Sequence, residues 1–443
     1  MSPSLDRSPW DIPPPLLLAL VYLAMIVVGS LVLWLPWAHG GDVGLGDAAF
    51  TATSAITVTG LTVVTTGDDF TVFGQVVIAL LIQLGGLGIM TFAALLLSAI
   101  GVPISLPQQM VLRADLNQTS IRNLALLARR VLYVALACEI VGAAVLATVF
   151  VPEAGWAHGL WQAVFHAVSG FNNAGFSLFP DSLMGFAGDP RIGLTLLVLF
   201  VIGGLGFVVM SELIEFRRWS LLSLHAKLML AGTVSLALLG WIGFGVLEWS
   251  NPDTLGPLSL WSKVQTSLFQ GLTPRTAGFN SIDMAAINDA TALLLMGLMF
   301  IGGGSASTAG GIKVTTFIVA VLATIAFFRQ SRNLRAFGRS IGIETVLKVL
   351  AVFTISLSLI FVSTFALSLD SGSPFLHVAF EAVSAFGTVG LSMGATPELD
   401  AFGRIVLCVT MFLGRIGPLT LGFFLASRTS ALIRYPEGRI YIG

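Results

Sequence analysis

Four short stretches of this 443-residue chain carry residue types suited to holding a bare monovalent cation. They read Phe50-TATSAITVT-Gly60, Phe165-HAVSGFNNA-Gly175, Phe269-QGLTPRTA-Gly278 and Phe380-EAVSAFGTV-Gly390. In three of them a Phe precedes the Gly by ten residues and a Ser precedes it by six, whereas the third is one residue shorter and contains Pro274. Glycine reaches backbone angles closed to other residues, so a run such as Thr57-Val-Thr-Gly60 can aim successive carbonyls the same way. Rings of backbone carbonyls replace the hydration shell of an alkali cation. The four glycines lie 115, 103 and 112 residues apart.

A second feature follows each glycine, at 25, 28, 24 and 24 residues: Gly85-Gly-Leu-Gly88, Gly203-Gly-Leu-Gly206, Gly302-Gly-Gly-Ser305 and Gly414-Arg-Ile-Gly417. Two features recurring four times in register define a tandem repeat. Arg415 stands where the other clusters have Gly86, Gly204 and Gly303. A charge in a membrane interior costs about 2.5 kcal/mol or more, so it marks function. Its five donors can bond carbonyls and hydroxyls of the small-residue stretch 302–311, and its charge repels cations. That stretch interrupts an apolar run of about 38 residues, and each glycine in a continuous helix there costs about 1 kcal/mol. A broken helix with an intramembrane loop resolves the conflict. The expected gate is therefore Gly302, Gly303, Gly304, Ser305, Ser307, Thr308, Gly310, Gly311, Lys313 and Arg415. A phosphate-binding loop does not fit, because Lys313 follows Ile312 and precedes Val314.

Other reactive side chains form no set. Glu139 suits a proton site or a polar helix contact and has no evident partner; Glu381 and His166 occupy equivalent positions in two of the stretches. His166 and His377 show no paired metal spacing, and no Ser/His/Asp set exists, so the chain is not read as an enzyme. Cys138 and Cys408 lie in apolar runs and read as small buried hydrophobes.

The elements that position these groups must be membrane helices. Hydrophobic residues make up 56% of the chain, charged residues 10%, and the mean hydropathy is +0.92. Soluble domains carry roughly 25% charged residues, which excludes a soluble enzyme, a disordered chain and a nucleic-acid binder. Apolar runs occur near 14–36, 71–100, 128–151, 191–215, 226–247, 290–328, 346–369 and 402–427, each long enough to span about 30 Å of hydrocarbon. The fold expected is an all-α polytopic membrane protein. It has four tandem helix–pore loop–helix repeats, with eight transmembrane helices and four re-entrant pore segments around a central ion pathway. The repeats cover 14–100, 128–215, 226–328 (with the loop at 302–312) and 346–427, followed by a cytoplasmic tail at 428–443. Placing the termini and the basic connections together collects sixteen Lys/Arg against four, Arg275 among the four, so both termini are expected in the cytoplasm. Asp68, Asp69, Asp181, Asp283, Glu398 and Asp400 then follow the pore segments outside. They suit a cation-concentrating mouth or a merely soluble outer face.

At these residues the chain resembles the Trk/Ktr/HKT superfamily of potassium transporters, over nearly its whole length. With eight spans it is most similar to the KtrB-type membrane subunits of bacterial Ktr uptake systems. Gly387-Thr-Val-Gly-Leu391 also comes close to the TVGYG type of potassium filter. The resemblance implies a K+ filter made by the carbonyls of Thr57, Val58, Thr59 and Gly60; Asn172, Asn173, Ala174 and Gly175; Arg275, Thr276, Ala277 and Gly278; and Gly387, Thr388, Val389 and Gly390. Asn173 suits a local turn equally well. Gly rather than Ser at position 60 implies a potassium preference. The resemblance further implies potassium uptake across the bacterial plasma membrane by a homodimer. It implies a cytosolic nucleotide-binding regulatory ring of the KtrA type, docked on basic loops 113–130 and 329–348. Anionic lipid head groups would explain those loops equally well. No cofactor is expected in the chain itself. Sodium activation and coupled symport with sodium or protons stay open beside a channel.

Overall fold

The computed structural model describes residues 14–88, 124–331, 333–369 and 372–417. The expected end of the first repeat (89–100), the basic stretch 113–123, the end of the eighth run (418–427) and the tail 428–443 lie outside the described residues.

Each repeat begins with a long apolar helix, then a shorter helix leading to the glycine stretch, then a second apolar helix. The first repeat has α1 (Pro14–Leu33), α2 (Leu45–Ile56) and α3 (Val72–Leu87). In the second, α4 (Leu124–Phe171) supplies the first two parts, because Gly155 at φ 80° breaks it just after Pro152. Then come α5 (Pro190–Leu205) and α6 (Phe207–Glu215). The third has α7 (Leu224–Glu248), α8 (Leu260–Leu272), α9 (Asp289–Phe300) and α10 (Val314–Phe328). A hairpin, β1 (Leu334–Ala336) with antiparallel β2 (Arg339–Ile341), precedes the fourth repeat and departs from the all-α expectation. That repeat has α11 (Ile343–Ser368), α12 (Phe375–Gly387) and α13 (Ala401–Ile416).

Among the described residues, the four helices long and apolar enough to cross a membrane are the first helices of the repeats. The break expected in the 290–328 run is present between α9 and α10, and one more run is interrupted. The 191–215 run bends by 96° between α5 and α6. Gly206, at φ 95°, provides the bend, and Gly88 and Gly417 end α3 and α13 at φ 85° and 93°. These are the last residues of three glycine clusters, and a left-handed residue ends a helix by turning its next N–H away from the ladder. The fourth cluster ends in Ser305, inside the break between α9 and α10.

The repeats interlock in a ring. The Phe that opens each pore motif is buried in the apolar cluster of the preceding repeat: Phe165 among residues of repeat 1, Phe269 in repeat 2, Phe380 in repeat 3 and Phe50 in repeat 4. With no water to expel between membrane helices, such packing acts through close van der Waals contact. Repeats 4 and 1 are also joined by an ion pair, Arg404 Nη1 to Asp47 Oδ1 at 2.6 Å.

Glycines set how closely helix meets helix. A methyl group on Gly85, Gly203 or Gly414 would lie 2.0–2.1 Å from the carbonyl oxygen of Ile56, Phe171 or Phe386 respectively. Each of those carbonyls is four residues before Gly60, Gly175 or Gly390, so the clusters seat the ends of the short helices. Repeat 3 does this differently, with Gly240 of α7 and Gly271 of α8 each pressing on the other's carbonyl. Gly240→Ala is expected to lower the unfolding temperature in detergent by several degrees, because the added methyl would sit 2.1 Å from Gly271 O. Gly297→Ala, with nothing within 4 Å, should leave it unchanged or raise it slightly. Thermal unfolding of the purified variants checks both.

Candidate cation pathway

α2, the end of α4, α8 and α12 each stop where a glycine stretch begins, so four C-terminal ends with their partial negative charge face the same place. The residue two before each glycine is left-handed: Val58 (φ 57°), Asn173 (60°), Thr276 (70°) and Thr388 (48°). The glycines themselves lie at φ 93°, 69°, 78° and 95°. Asn173 is thus a turn former and a member of the candidate stretch at once. Alternating hands along the strand turn its carbonyls toward one side.

The four strands meet. A methyl on Gly60 would lie 2.3 Å from Ala174 O, one on Gly175 3.1 Å from Ala277 O, one on Gly278 2.1 Å from Val389 O, and one on Gly390 2.2 Å from Thr59 O. The cycle closes, so the glycines and the carbonyls before them alternate around one axis. Among the described residues, only the Arg275 carbonyl of the sixteen candidate ones accepts a hydrogen bond, from Thr276 Oγ1 at 2.7 Å. Backbone carbonyls at membrane depth are left free in this way only where they line a polar path.

Side chains behind each strand hold it. Ser54 and Ser384, through Oγ, accept from the N–H of Gly60 and Gly390 at 3.0 and 3.1 Å; Ser169 and Thr273 donate to Phe176 O and Phe279 O at 2.8 and 2.7 Å. The shortened third stretch substitutes Thr273 for the recurring serine, with Ala277 N donating to its carbonyl at 2.9 Å. The position after each motif Phe braces the outer end. His166 meets Ser177 at 3.0 Å, Gln270 accepts from Ser281 N and Oγ, and Glu381 accepts from Ser392, Met393 N and Thr396. Thr51 Oγ1, the counterpart in repeat 1, is buried without a partner. The sequence displays this series by its offset from the Phe, yet Gln270 and Thr51 escaped notice because residue types at the position differ.

The loop between α9 and α10 lies directly beneath the strands. Its Thr308 hydroxyl is 2.9 Å from the Asn173 side-chain amide, which also bonds Thr276 Oγ1 at 3.1 Å. A methyl on Gly310 would lie 2.1 Å from Thr388 Oγ1, and one on Gly302 3.4 Å from Thr276 Cγ2. The loop is stitched to the α5–α6 bend by Gly304 N to Gly204 O (2.8 Å) and Phe207 N to Ala306 O (2.7 Å). A methyl on Gly303 would lie 2.7 Å from Gly204 O, and one on Gly206 2.6 Å from Ser305 O. Ser307 closes the loop on Gly304 O, Gly311 turns it at φ 64°, and Lys313 Nζ donates to Ala309 O at 2.7 Å. Arg415 donates to Thr308 O and, from repeat 1, to Gly85 O and Gly86 O. The loop was the acceptor expected; the repeat 1 carbonyls were not, since nothing in spacing places α3 beside α13.

Three readings change. Arg275 does not lie in an outer connection: its guanidinium reaches Thr233 O on α7 (3.2 Å) and Gly302 O at the start of the loop (3.4 Å). Glu139 has a partner, Asn172 Nδ2 at 3.2 Å, which also donates to Gln83 at 2.7 Å. Cys138 and Cys408 are partly exposed rather than buried. Among the outer acids, Asp69, Asp283 and Asp400 accept from backbone N–H groups within four residues, which gives them a local structural use.

A family description for cation transport proteins, TrkH, matches residues 20–430. The "Ktr system potassium uptake protein B" of Bacillus subtilis is 46% identical over 430 residues, covering 97% of each chain. The "Potassium/sodium uptake protein NtpJ" of Enterococcus hirae is 38% identical over 439 residues, again covering 97% of each. The crystal structure of the potassium transporter TrkH from Vibrio parahaemolyticus shares the fold at a TM-score of 0.75 and 21% identity, covering 96% of this chain and 87% of that one.

A ring of free carbonyls should bind alkali cations and so stabilise the fold, by RT ln(1 + [L]/Kd). Potassium is expected to raise the unfolding temperature more than equal sodium. Gly390→Ala, which puts a methyl 2.2 Å from Thr59 O at a φ of 95°, is expected to abolish the difference.

Proposed function

Because the chain belongs to the TrkH family of cation transport proteins, we propose that it carries potassium into the cell across the bacterial plasma membrane. The closed cycle of Gly60, Gly175, Gly278 and Gly390 with the free carbonyls between them carries this reading. The sixteen residues assigned above form the selectivity filter, and four pore helix ends add negative potential at its inner side. An interior-negative membrane drives each cation inward with about 2.3 kcal/mol per 100 mV. With both termini in the cytoplasm, as the Lys/Arg distribution favours, the broken helix of repeat 3 lies on the cytosolic side of the filter.

The loop from Gly302 to Lys313 together with Arg415 is the gate. In the arrangement described, Thr308 and Gly310 touch the innermost filter side chains, and Arg415 sets a positive charge beneath them. A cation leaving the filter meets both obstacles. Opening requires the loop to leave its seat on Gly203–Gly206 and Arg415 to release Thr308 O. We further propose a homodimer worked by a cytosolic nucleotide-binding ring, with the basic segment around β1 and β2 as a docking surface; a relative named as one protein of a Ktr system supports a separate partner subunit.

A second reading, sodium-coupled uptake, draws on the potassium/sodium relative and on the buried Glu139–Asn172 contact behind the second filter strand. Glu139→Gln is expected to leave potassium flux and its sodium dependence intact if the pore is a channel, and to remove the sodium dependence if transport is coupled.

Flux into proteoliposomes under fixed voltage is the direct test. Wild type is expected to pass potassium well above sodium, and Gly60→Ser to narrow the ratio by roughly tenfold, the scale of one lost carbonyl contact. Arg415→Ala is expected to raise potassium flux in the absence of any cytosolic partner. Equal potassium and sodium flux in wild type would refute the filter assignment.

A further inference from the structure

Three cationic side chains bond to carbonyls of the same loop. Arg275 holds Gly302 O at its start, Arg415 holds Thr308 O at its middle, and Lys313 holds Ala309 O near its end. None of the three is in an ion pair among the described residues. Lys313 belongs to the loop, and Arg415 comes from an inner helix. Arg275 alone comes from a filter strand, three residues before Gly278.

The equivalent side chains do nothing similar. Thr57 bonds to Thr53 O and Ser54 O of its own pore helix and to Thr59 within its own strand; Asn172 turns to Gln83 and Glu139; position 387 is a glycine. Arg275 spans from its strand to Thr233 O on α7 and Gly302 O at the start of the loop, and its Nε is buried without a partner. A guanidinium with an unmet donor and no carboxylate is a poor stabiliser of a fold. It is a good two-point clamp, because its donors are rigidly forked. Gly302 is also where the two ends of the loop are joined, since Gly302 N donates to Ile312 O at 2.9 Å, so it is the point about which the loop would turn.

We propose that Arg275 is a positioning residue that couples the third filter strand to the gate loop, so that cation occupancy of the filter sets the position of the loop. The proposal rests on the assignment of the filter and gate made above. When potassium occupies the strand and draws its carbonyls inward, the Arg275 backbone is held in register, and its side chain keeps the hinge at Gly302 seated against α7. When the filter holds no fitting ion, the strand relaxes and the hinge is released.

The test reads the loop itself. In protein with Cys138→Ala and Cys408→Ala, a Ser307→Cys substitution supplies one thiol, and its modification by a water-soluble maleimide is timed in potassium and in sodium. With Arg275 present, potassium is expected to slow modification about tenfold relative to sodium, the effect of holding or losing one charge-assisted bond. Arg275→Gln is expected to modify equally fast in both. Arg275→Lys, which keeps the charge but loses the fork, should show an intermediate ratio and serves where Gln does not assemble. A potassium effect as large in either variant as with Arg275, or none with Arg275 present, overturns the coupling. Potassium flux of wild type in the same vesicles separates the two readings, since absent flux counts against potassium uptake and leaves the thiol result standing on its own.

Discussion

Everything in this molecule is arranged around carbonyl oxygens that the protein leaves unbonded. Backbone polar groups inside a bilayer must normally find partners within the chain. Four strands break that rule together at one axis, with fifteen of sixteen carbonyls open among the described residues. Such a ring holds its shape only if the chain behind it is fixed by other means. Hence a serine or threonine bonds each strand near its glycine, and three of the four strands have an outer brace as well. Hence also three of the glycine clusters, which bring the following helices against the carbonyls at the short helix ends.

The ring is built by exchange between neighbours. Each repeat gives a Phe to the apolar cluster of the one before it, and the last repeat receives Phe50 from the first. No quadrant completes its own core. The strands are thereby held in common register, and displacement of one is transmitted through a packed, low-compressibility interior.

Much of this was legible in the residues. The four glycines that meet at one axis, the glycine clusters, the interrupted run at 302–312 and the lone Arg415 all declared themselves, because each belongs to or departs from a repeated pattern or conflicts with the cost of charge and glycine in an apolar helix. What escaped was whatever depends on contacts between quadrants. The 96° bend at Gly206 has no signal of its own, because the glycine holds the same place in its cluster as Gly88 and Gly417, and the seat it offers to the loop of repeat 3 is a contact between quadrants. Gly240 and Gly271 carry no signal in the sequence, since their partnership crosses 31 positions and replaces a contact that repeat 3 lacks. Arg275 was placed outside by counting charges, a method that reads position along the chain and not which carbonyls a side chain reaches.

The third stretch is one residue short, and its threonine takes over from the recurring serine without breaking the cycle. In an assembly of four identical subunits, any such deletion would strike every quarter of the pore at once. Joined in one polypeptide, the quarters can diverge separately, and a change too severe to be borne four times over is survivable once. Among the described residues, the broken helix at 302–312 lies in the quarter that also carries the deletion, so one quarter departs from the pattern that the other three keep.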